Sequence, residues 1–418
     1  MNIKNTKEFY NSLIDVFSYR YPRFFEENVG LFKVLHTFED KLPLLEVLLE
    51  RDLLVGATLK KSSSEAQAVI AKQMYNQLKE KDLVIGKAKT TYSNIPMELP
   101  EIKQDRPFII GDHGGYYAPI VQYLFHTYGD QLIGMTEHTL NGEERLFQYA
   151  ARHTQHIPYL STARVDLKER SDKEIAAAIS DEIIQKIDTS GYFNLTSRRT
   201  KEIILLIGYG TMGMHAAQRL REIGVHAEII VSDASYKKMA FATQDGFQNV
   251  SQEFKEILPF VDLIILATNV IKGEDPVLNA EHFSLLKKNA CLTSMTSMDD
   301  EVRQDELISA GVIKPYGIDS HYGMYKGPTG KEFSLFLNGK PANVGLANGG
   351  ASESICMVEA AGLAGAFKIA EEGHDAILDE MDKEIISSLW LKYFHQDFHV
   401  SRLNKQAEHD ERRRKIAA

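Results

Sequence analysis

Five consecutive apolar residues, 203–207, run straight into Gly208, and a stretch with helical periodicity, 215–222, follows within a few positions. This pattern predicts a strand, a tight turn and a helix in immediate succession. A second β-type run, 227–231, leads to Asp233. The same alternation recurs on either side. Upstream it predicts an amphipathic helix over 42–49, a buried strand over 53–59, a helix over 66–78 and a strand over 108–111. A helix through 120–125, a strand over 131–135 and a long helix over 168–187 follow. Downstream come a strand over 261–268, a helix over 282–288, a strand-like 290–293 and a helix over 352–370. Residues 1–34 read as helical, with Pro22 as an interruption. Strands alternating with helices imply mainly parallel sheets, with ligands beyond the carboxyl ends of the strands.

The glycines after the first run have separate jobs. Gly208 permits the tight turn, Gly210 lets a pyrophosphate approach the backbone, and Gly213 lets the helix pack closely on the strand. Thr211 and Met212 stand at the helix start, where free N–H groups and the positive dipole end meet phosphates. Asp233 falls at the distance where this fingerprint places an acid for the ribose hydroxyls. It would repel a 2′-phosphate, so the expected cofactor is NAD and not NADP. The expected fold class is therefore α/β, a Rossmann-type NAD domain plus a discontinuous α/β substrate domain. The boundaries are 1–187 for the first part of the substrate domain, 188–201 for a linker, 202–340 for the NAD domain, 341–390 for the second part and 391–418 for a tail.

At 418 residues the chain can hold two or three full cores. A net charge of -10 argues against nucleic acid or an anionic membrane as partner. The two cysteines, Cys291 and Cys356, lack metal-type spacing and fit a reducing compartment. No leader segment or membrane span is read, so a cytoplasmic protein is expected.

Gly208-Tyr-Gly-Thr-Met-Gly213, the strand over 261–268, the segment from His282 to Ala290 and Asn343-Val-Gly-Leu-Ala-Asn-Gly349 together resemble S-adenosylhomocysteine hydrolase, in order, from about Leu35 to Ala370. The resemblance implies tightly held NAD, oxidation of a ribose 3′-hydroxyl, removal of the acidified 4′ proton, loss of homocysteine, addition of water and reduction back. The carbonyl is what makes the neighbouring C–H acidic enough for a side-chain base. It further implies that Lys168 and Asp172, four residues apart on one helix face, take the hydroxyl proton and orient the sugar. A plain exposed ion pair competes with this role, although Lys before Asp is the less favourable helical order. His36 matches the family's histidine near the thioether. Thr268, Asn269 and Asn343 join the cofactor set, Asn343 by matching the asparagine near the nicotinamide amide. A plain turn role competes for Asn343.

Several positions depart from the family. Its catalytic aspartate falls at His113 and its catalytic glutamate at His138; two further histidines fall at Ser297 and Gly350, and an asparagine at Ala163. The family's C-terminal motif has no counterpart in 401–418. If His36, His113 and His138 keep the family's positions, three imidazoles converge beside the sugar. They could hold a zinc-type metal with an open fourth position, hydrogen-bond separately, or form a neutral network of bases. The expected activity is NAD-dependent oxidation of a ribose-type secondary hydroxyl on a nucleoside-like substrate, with elimination and hydration open. The alternatives are true S-adenosylhomocysteine hydrolysis with substituted residues, and a catalytically silent NAD-bound regulator. A homodimer or homotetramer is expected from the family's assemblies.

Overall fold

The computed structural model describes residues 2–60, 65–87, 102, 105–150, 158–191, 193–249, 253–268, 270, 275–296, 301–319, 321–342 and 353–394. The chain divides into two compact units. One comprises Met1–Lys168 with Glu353–Ala418, and the other Glu169–Ser352.

The first unit is built on β1 (Gly30–Leu35), β2 (Leu54–Leu59), β3 (Val84–Lys87), β4 (Phe108–Asp112), β5 (Leu132–Glu137) and β6 (Tyr159–Ser161). They form a parallel sheet in the order β3-β2-β1-β4-β5-β6. The order reverses between β1 and β4, so the loops leaving these two strands diverge and open a crevice at their carboxyl ends. Residues 1–34 are only partly helical: after the helices Ile3–Arg20 and Pro22–Glu26, Gly30–Leu35 is a central strand. A lysine in the middle of Gly-Leu-Phe-Lys-Val-Leu breaks the apolar run and hides it.

Strand alternation explains where that lysine goes. Leu31 and Leu35 belong to the core shared with the helices Ile3–Arg20, Leu42–Glu50 and Ile355–Glu372, while Phe32 and Val34 join the opposite core with Tyr117, Val121 and Leu124. Lys33 shares the first face. The helix Ile355–Glu372 is buried at every residue from Cys356 to Ala370. Its glycines allow close approach to the sheet: a Cβ at Gly362 would overlap the His138 ring, and one at Gly365 would stand 2.9 Å from Leu160 Cδ2. Gly362→Ala is therefore expected to displace His138 and to cost about 1–3 kcal/mol through overpacking. Urea denaturation reads the cost, and an unmoved His138 ring resonance would contradict the packing.

The second unit carries β7 (Ile203–Ile207), β8 (Glu228–Ser232), β9 (Gln248–Asn249), β10 (Leu263–Leu266), β11 (Ala290–Ser294), β12 (Lys314–Asp319), β13 (Tyr322–Lys326) and β14 (Glu332–Phe336). Their order is β12-β13-β14-β11-β10-β7-β8-β9. The sheet is parallel from β9 to β14, with β13 and β12 added antiparallel at the far edge. Its order reverses between β7 and β10, beside the glycine turn. The helix Asp166–Ser190 extends the predicted 168–187 at both ends and takes up the start of the expected linker. No helix among the described residues is long and apolar enough to cross a membrane.

Candidate functional site

In the second unit the three glycines differ in what surrounds them. Gly208 has φ 101°, and a Cβ there would lie 2.5 Å from the Ala267 carbonyl oxygen. A Cβ at Gly213 would overlap the Gly208 carbonyl oxygen, so the helix Thr211–Glu222 can sit this close only without a side chain. Gly210, the N-cap, meets nothing nearer than Lys238 Nζ at 3.6 Å. Here alone in the loop there is room for a ligand, next to a positive charge. The first-turn N–H groups of Thr211 and Met212 have no intrahelical acceptor and suit phosphate. Asp233 follows β8, and its carboxylate accepts from Tyr209 N at 2.6 Å and Ser235 N at 2.7 Å. Thr268 is fixed through its N–H and hydroxyl, both donated to the buried Glu301. A cradle open only at Gly210 with a carboxylate at the end of the second strand fits NAD. Asn269 and Asn343, and the departures at Ser297 and Gly350, lie outside the described residues.

In the first unit the three histidines come together. His36 follows β1, His113 follows β4 and His138 follows β5, so the first two flank the point where strand order reverses. Ring centres are 4.6 Å apart for His36 and His113 and 5.5 Å for His113 and His138. Two buried carboxylates shape this rim. Asp112 accepts from His113 N, Tyr116 N and Tyr117 N at 2.7, 3.1 and 2.8 Å. Glu137 accepts from Gly114 N and Gly115 N at 2.9 Å and from Thr139 N at 2.7 Å. The positive φ of Gly114 and Gly115, 101° and 65°, turns their N–H groups inward.

Lysines occupy the space that a metal would need. Lys60, just past β2, donates to His36 Nε2 at 3.0 Å, and Lys33 donates to His138 Nε2 at 3.3 Å. His138 Nδ1 therefore carries the proton and donates to Thr162 Oγ1 at 3.1 Å. Among the described residues no group of three or more His, Cys, Asp and Glu could hold a metal ion. Ammonium groups thus face two of the nitrogens that a zinc-type metal on His36, His113 and His138 would need. The ring nitrogens of His113 make no hydrogen bond to described residues.

Beneath the histidines lies a buried ion network. Glu359, on the helix Ile355–Glu372, meets Lys33 at 3.3 Å and Lys41 at 2.9 Å; Lys41 also meets Asp40 at 3.3 Å. Burial alone would raise the Glu359 carboxyl, but Lys41 and Lys33 hold it well below the usual carboxylate range. Burial and the Lys60 and Lys41 charges keep His36 and His113 well below the ordinary imidazole value. His138 is pushed down to about 3 by burial and Lys33, against Glu359. Burial lowers Lys60 to about 8, with Glu137 and Asp112 opposing. The crevice thus offers neutral imidazoles and one amine that titrates near neutrality, the groups proton transfer requires.

These neutral rings make the fold acid-sensitive. In the unfolded chain they protonate through about 6.5 and in the folded chain only far below it, so the unfolded state binds more protons as pH falls. Stability drops by up to about 1.4 kcal/mol per pH unit for each ring. Asp112 opposes this: burial and Glu137 raise it from 3.8 to about 7, so between those values its contribution falls as pH rises and cancels about one ring. Urea denaturation from pH 6.5 to 5.5 is expected to show a net loss of about 2 kcal/mol, because the unfolded rings are half protonated at the start of this window. A flat profile would contradict neutral burial of the rings.

Sequence reasoning missed Lys33, Lys41, Lys60 and Glu359. Lys60 carried a usable signal, a cation immediately after a buried strand in an α/β domain. Lys168 and Asp172 lie on the first turns of Asp166–Ser190, both half-buried. The Lys168 charge helps depress His138, while Asp172 acts on His215 of the helix Thr211–Glu222.

The doubly wound sheet with its glycine cradle defines the second unit as an NAD-binding Rossmann domain. Residues 195–349 match the family model for the S-adenosyl-L-homocysteine hydrolase NAD binding domain. The match covers this domain and not the rest of the chain, and NAD is the cofactor it supports. Among solved structures, an L-alanine dehydrogenase aligns with a TM-score of 0.37 at 11% identity, over 85% of this chain and 99% of that one. The pyruvate reductase of Chlamydomonas reinhardtii aligns at 0.35 and 11%, over 68% and 75%. Likenesses at this level carry no information on chemistry.

Proposed function

We propose that the chain is an NAD-dependent enzyme that oxidises a ribose-type secondary hydroxyl of a nucleoside or related small molecule. The observation that carries this reading is the convergence of three neutral imidazoles and Lys60 at the strand-order reversal of the first unit, in a chain that also bears the family's NAD domain. NAD, when bound, accepts the hydride from the carbinol carbon. Lys168 receives the hydroxyl proton and Asp172 orients the sugar, as the family resemblance assigns them. His113, whose ring nitrogens are open to a ligand, then takes the proton that the new carbonyl has made acidic. His36 and His138 have nitrogens engaged by lysines and position the site around it.

Hydrolysis of S-adenosylhomocysteine itself is the second reading, favoured by the family match. Adding S-adenosylhomocysteine, adenosine and other nucleosides to the protein with its NAD separates these readings. A reduced-nicotinamide absorbance band with one of them supports oxidation, and free thiol from S-adenosylhomocysteine makes the chain a hydrolase. Bound NAD with no band for any ligand would overturn the nucleoside reading and leave a silent regulator.

A further inference from the structure

Lys33 and Lys41 have carboxylate partners in the buried network, whereas Lys60 has none among the described residues. Its ammonium meets His36 Nε2 at 3.0 Å and stands 4.9 Å from the centre of the Tyr116 ring. Both are neutral partners. The acids whose charges act most on it, Glu137 and Asp112, have their oxygens committed to backbone N–H groups of the 112–117 turn and to Thr139. Gly114 keeps the space beside the ammonium open: a Cβ there would lie 3.6 Å from Lys60 Nζ. Lys60 is also partly exposed, so a ligand can reach it.

The charges around the crevice are mixed: Glu137, Asp112 and Glu359 act on Lys60 in favour of its ammonium form, whereas the charges acting most on the His113 ring are cationic. The formal charges that act on His113 come from Lys60 and Lys41, and both disfavour a further positive charge there. Such a potential attracts an anion.

We propose that the substrate carries an oxyanion, a phosphate or a carboxylate, which pairs with Lys60 beside His36 and His113 at the carboxyl ends of β1, β2 and β4. This rests on reading the crevice as the substrate site. The ammonium gives the oxyanion a charge-assisted hydrogen bond, and the neutral His113 ring can donate a second through its N–H. The seat separates an anionic nucleoside derivative from the neutral nucleoside, a distinction the glycine cradle of the other unit cannot make.

Trace acetylation of the full chain with its NAD, read by mass spectrometry, tests this with inorganic phosphate, acetate and chloride at matched ionic strength. At least one oxyanion is expected to slow Lys60 labelling about 10-fold relative to chloride. Lys4, at 82% side-chain exposure, serves as the unaffected control. Protection by phosphate alone marks a phosphorylated substrate, and protection by acetate a carboxylate. The same ions are expected to raise the thermal unfolding midpoint of the parent chain and of Lys60→Arg, but not of Lys60→Met. Equal labelling in all three salts, or an unchanged ion effect in Lys60→Met, would overturn the seat. Protection without NAD reduction by any nucleoside keeps the seat and removes the nucleoside; reduction by a neutral nucleoside without protection does the reverse.

Discussion

Glu359→Ala is expected to destabilise the chain by about 3–5 kcal/mol, because it strips the shared carboxylate from two buried lysines. Lys33 and Lys41 are 2% and 3% exposed, so water cannot take the place of the lost partner. Lys41 would retain Asp40 at 3.3 Å; among the described residues Lys33 would retain only the His138 imidazole. The helix propensity of alanine returns less than about 0.7 kcal/mol, far short of the loss. Removing charge on both sides with Lys33→Met and Glu359→Met is expected to recover part of it, since a buried pair replaced by apolar side chains is often near neutral. Urea denaturation of the full chain measures all three. A cost for Glu359→Ala below about 1 kcal/mol would mean the lysines find other partners or water. Because the folded carboxyl is held below its unfolded value of 4.5, its contribution is complete above that pH and is lost as pH falls through the folded value.

The other large effect is on rate. Lys168→Ala is expected to slow reduction of bound NAD by about 10²–10⁴-fold, the usual worth of a positioned acid or base. Asp172→Ala is expected to slow it as well, by disturbing the sugar's orientation. NAD content should be unchanged in both, since neither residue belongs to the glycine cradle. Lys168→Ala carries a second signature: its charge helps depress His138, so the His138 titration should move upward. Unchanged turnover in both variants would remove the pair from the mechanism.

The NAD half was legible because its constraints are steric and local. A Cβ at Gly213 would strike the Gly208 backbone five residues earlier, and Gly208 takes a φ of 101° that its turn demands; adjacent residues reveal both constraints, although the clash of a Gly208 Cβ with Ala267, just past the neighbouring β10, is not among them. The histidine cluster was legible only through the family register, which placed His113 and His138 where the family has acids; nothing in their spacing brings His36 to them. The lysines were illegible for a physical reason. Lys33 and Glu359 are 326 residues apart, and each sits in an apolar segment where a lone charge reads as an interruption. Lys33 even concealed β1, the strand at the centre of its sheet. A charge in an apolar run can thus mark a buried partner elsewhere, but sequence order does not say which.

Extracting the dinucleotide from the purified chain and quantifying its oxidised and reduced forms, before and after incubation with the nucleoside panel, tests the account most directly. The account predicts NAD and not NADP before incubation, with a part recovered in reduced form once the right ligand is added. Recovery of NADP, or of NAD that stays fully oxidised with every anionic and neutral member of the panel, would contradict it.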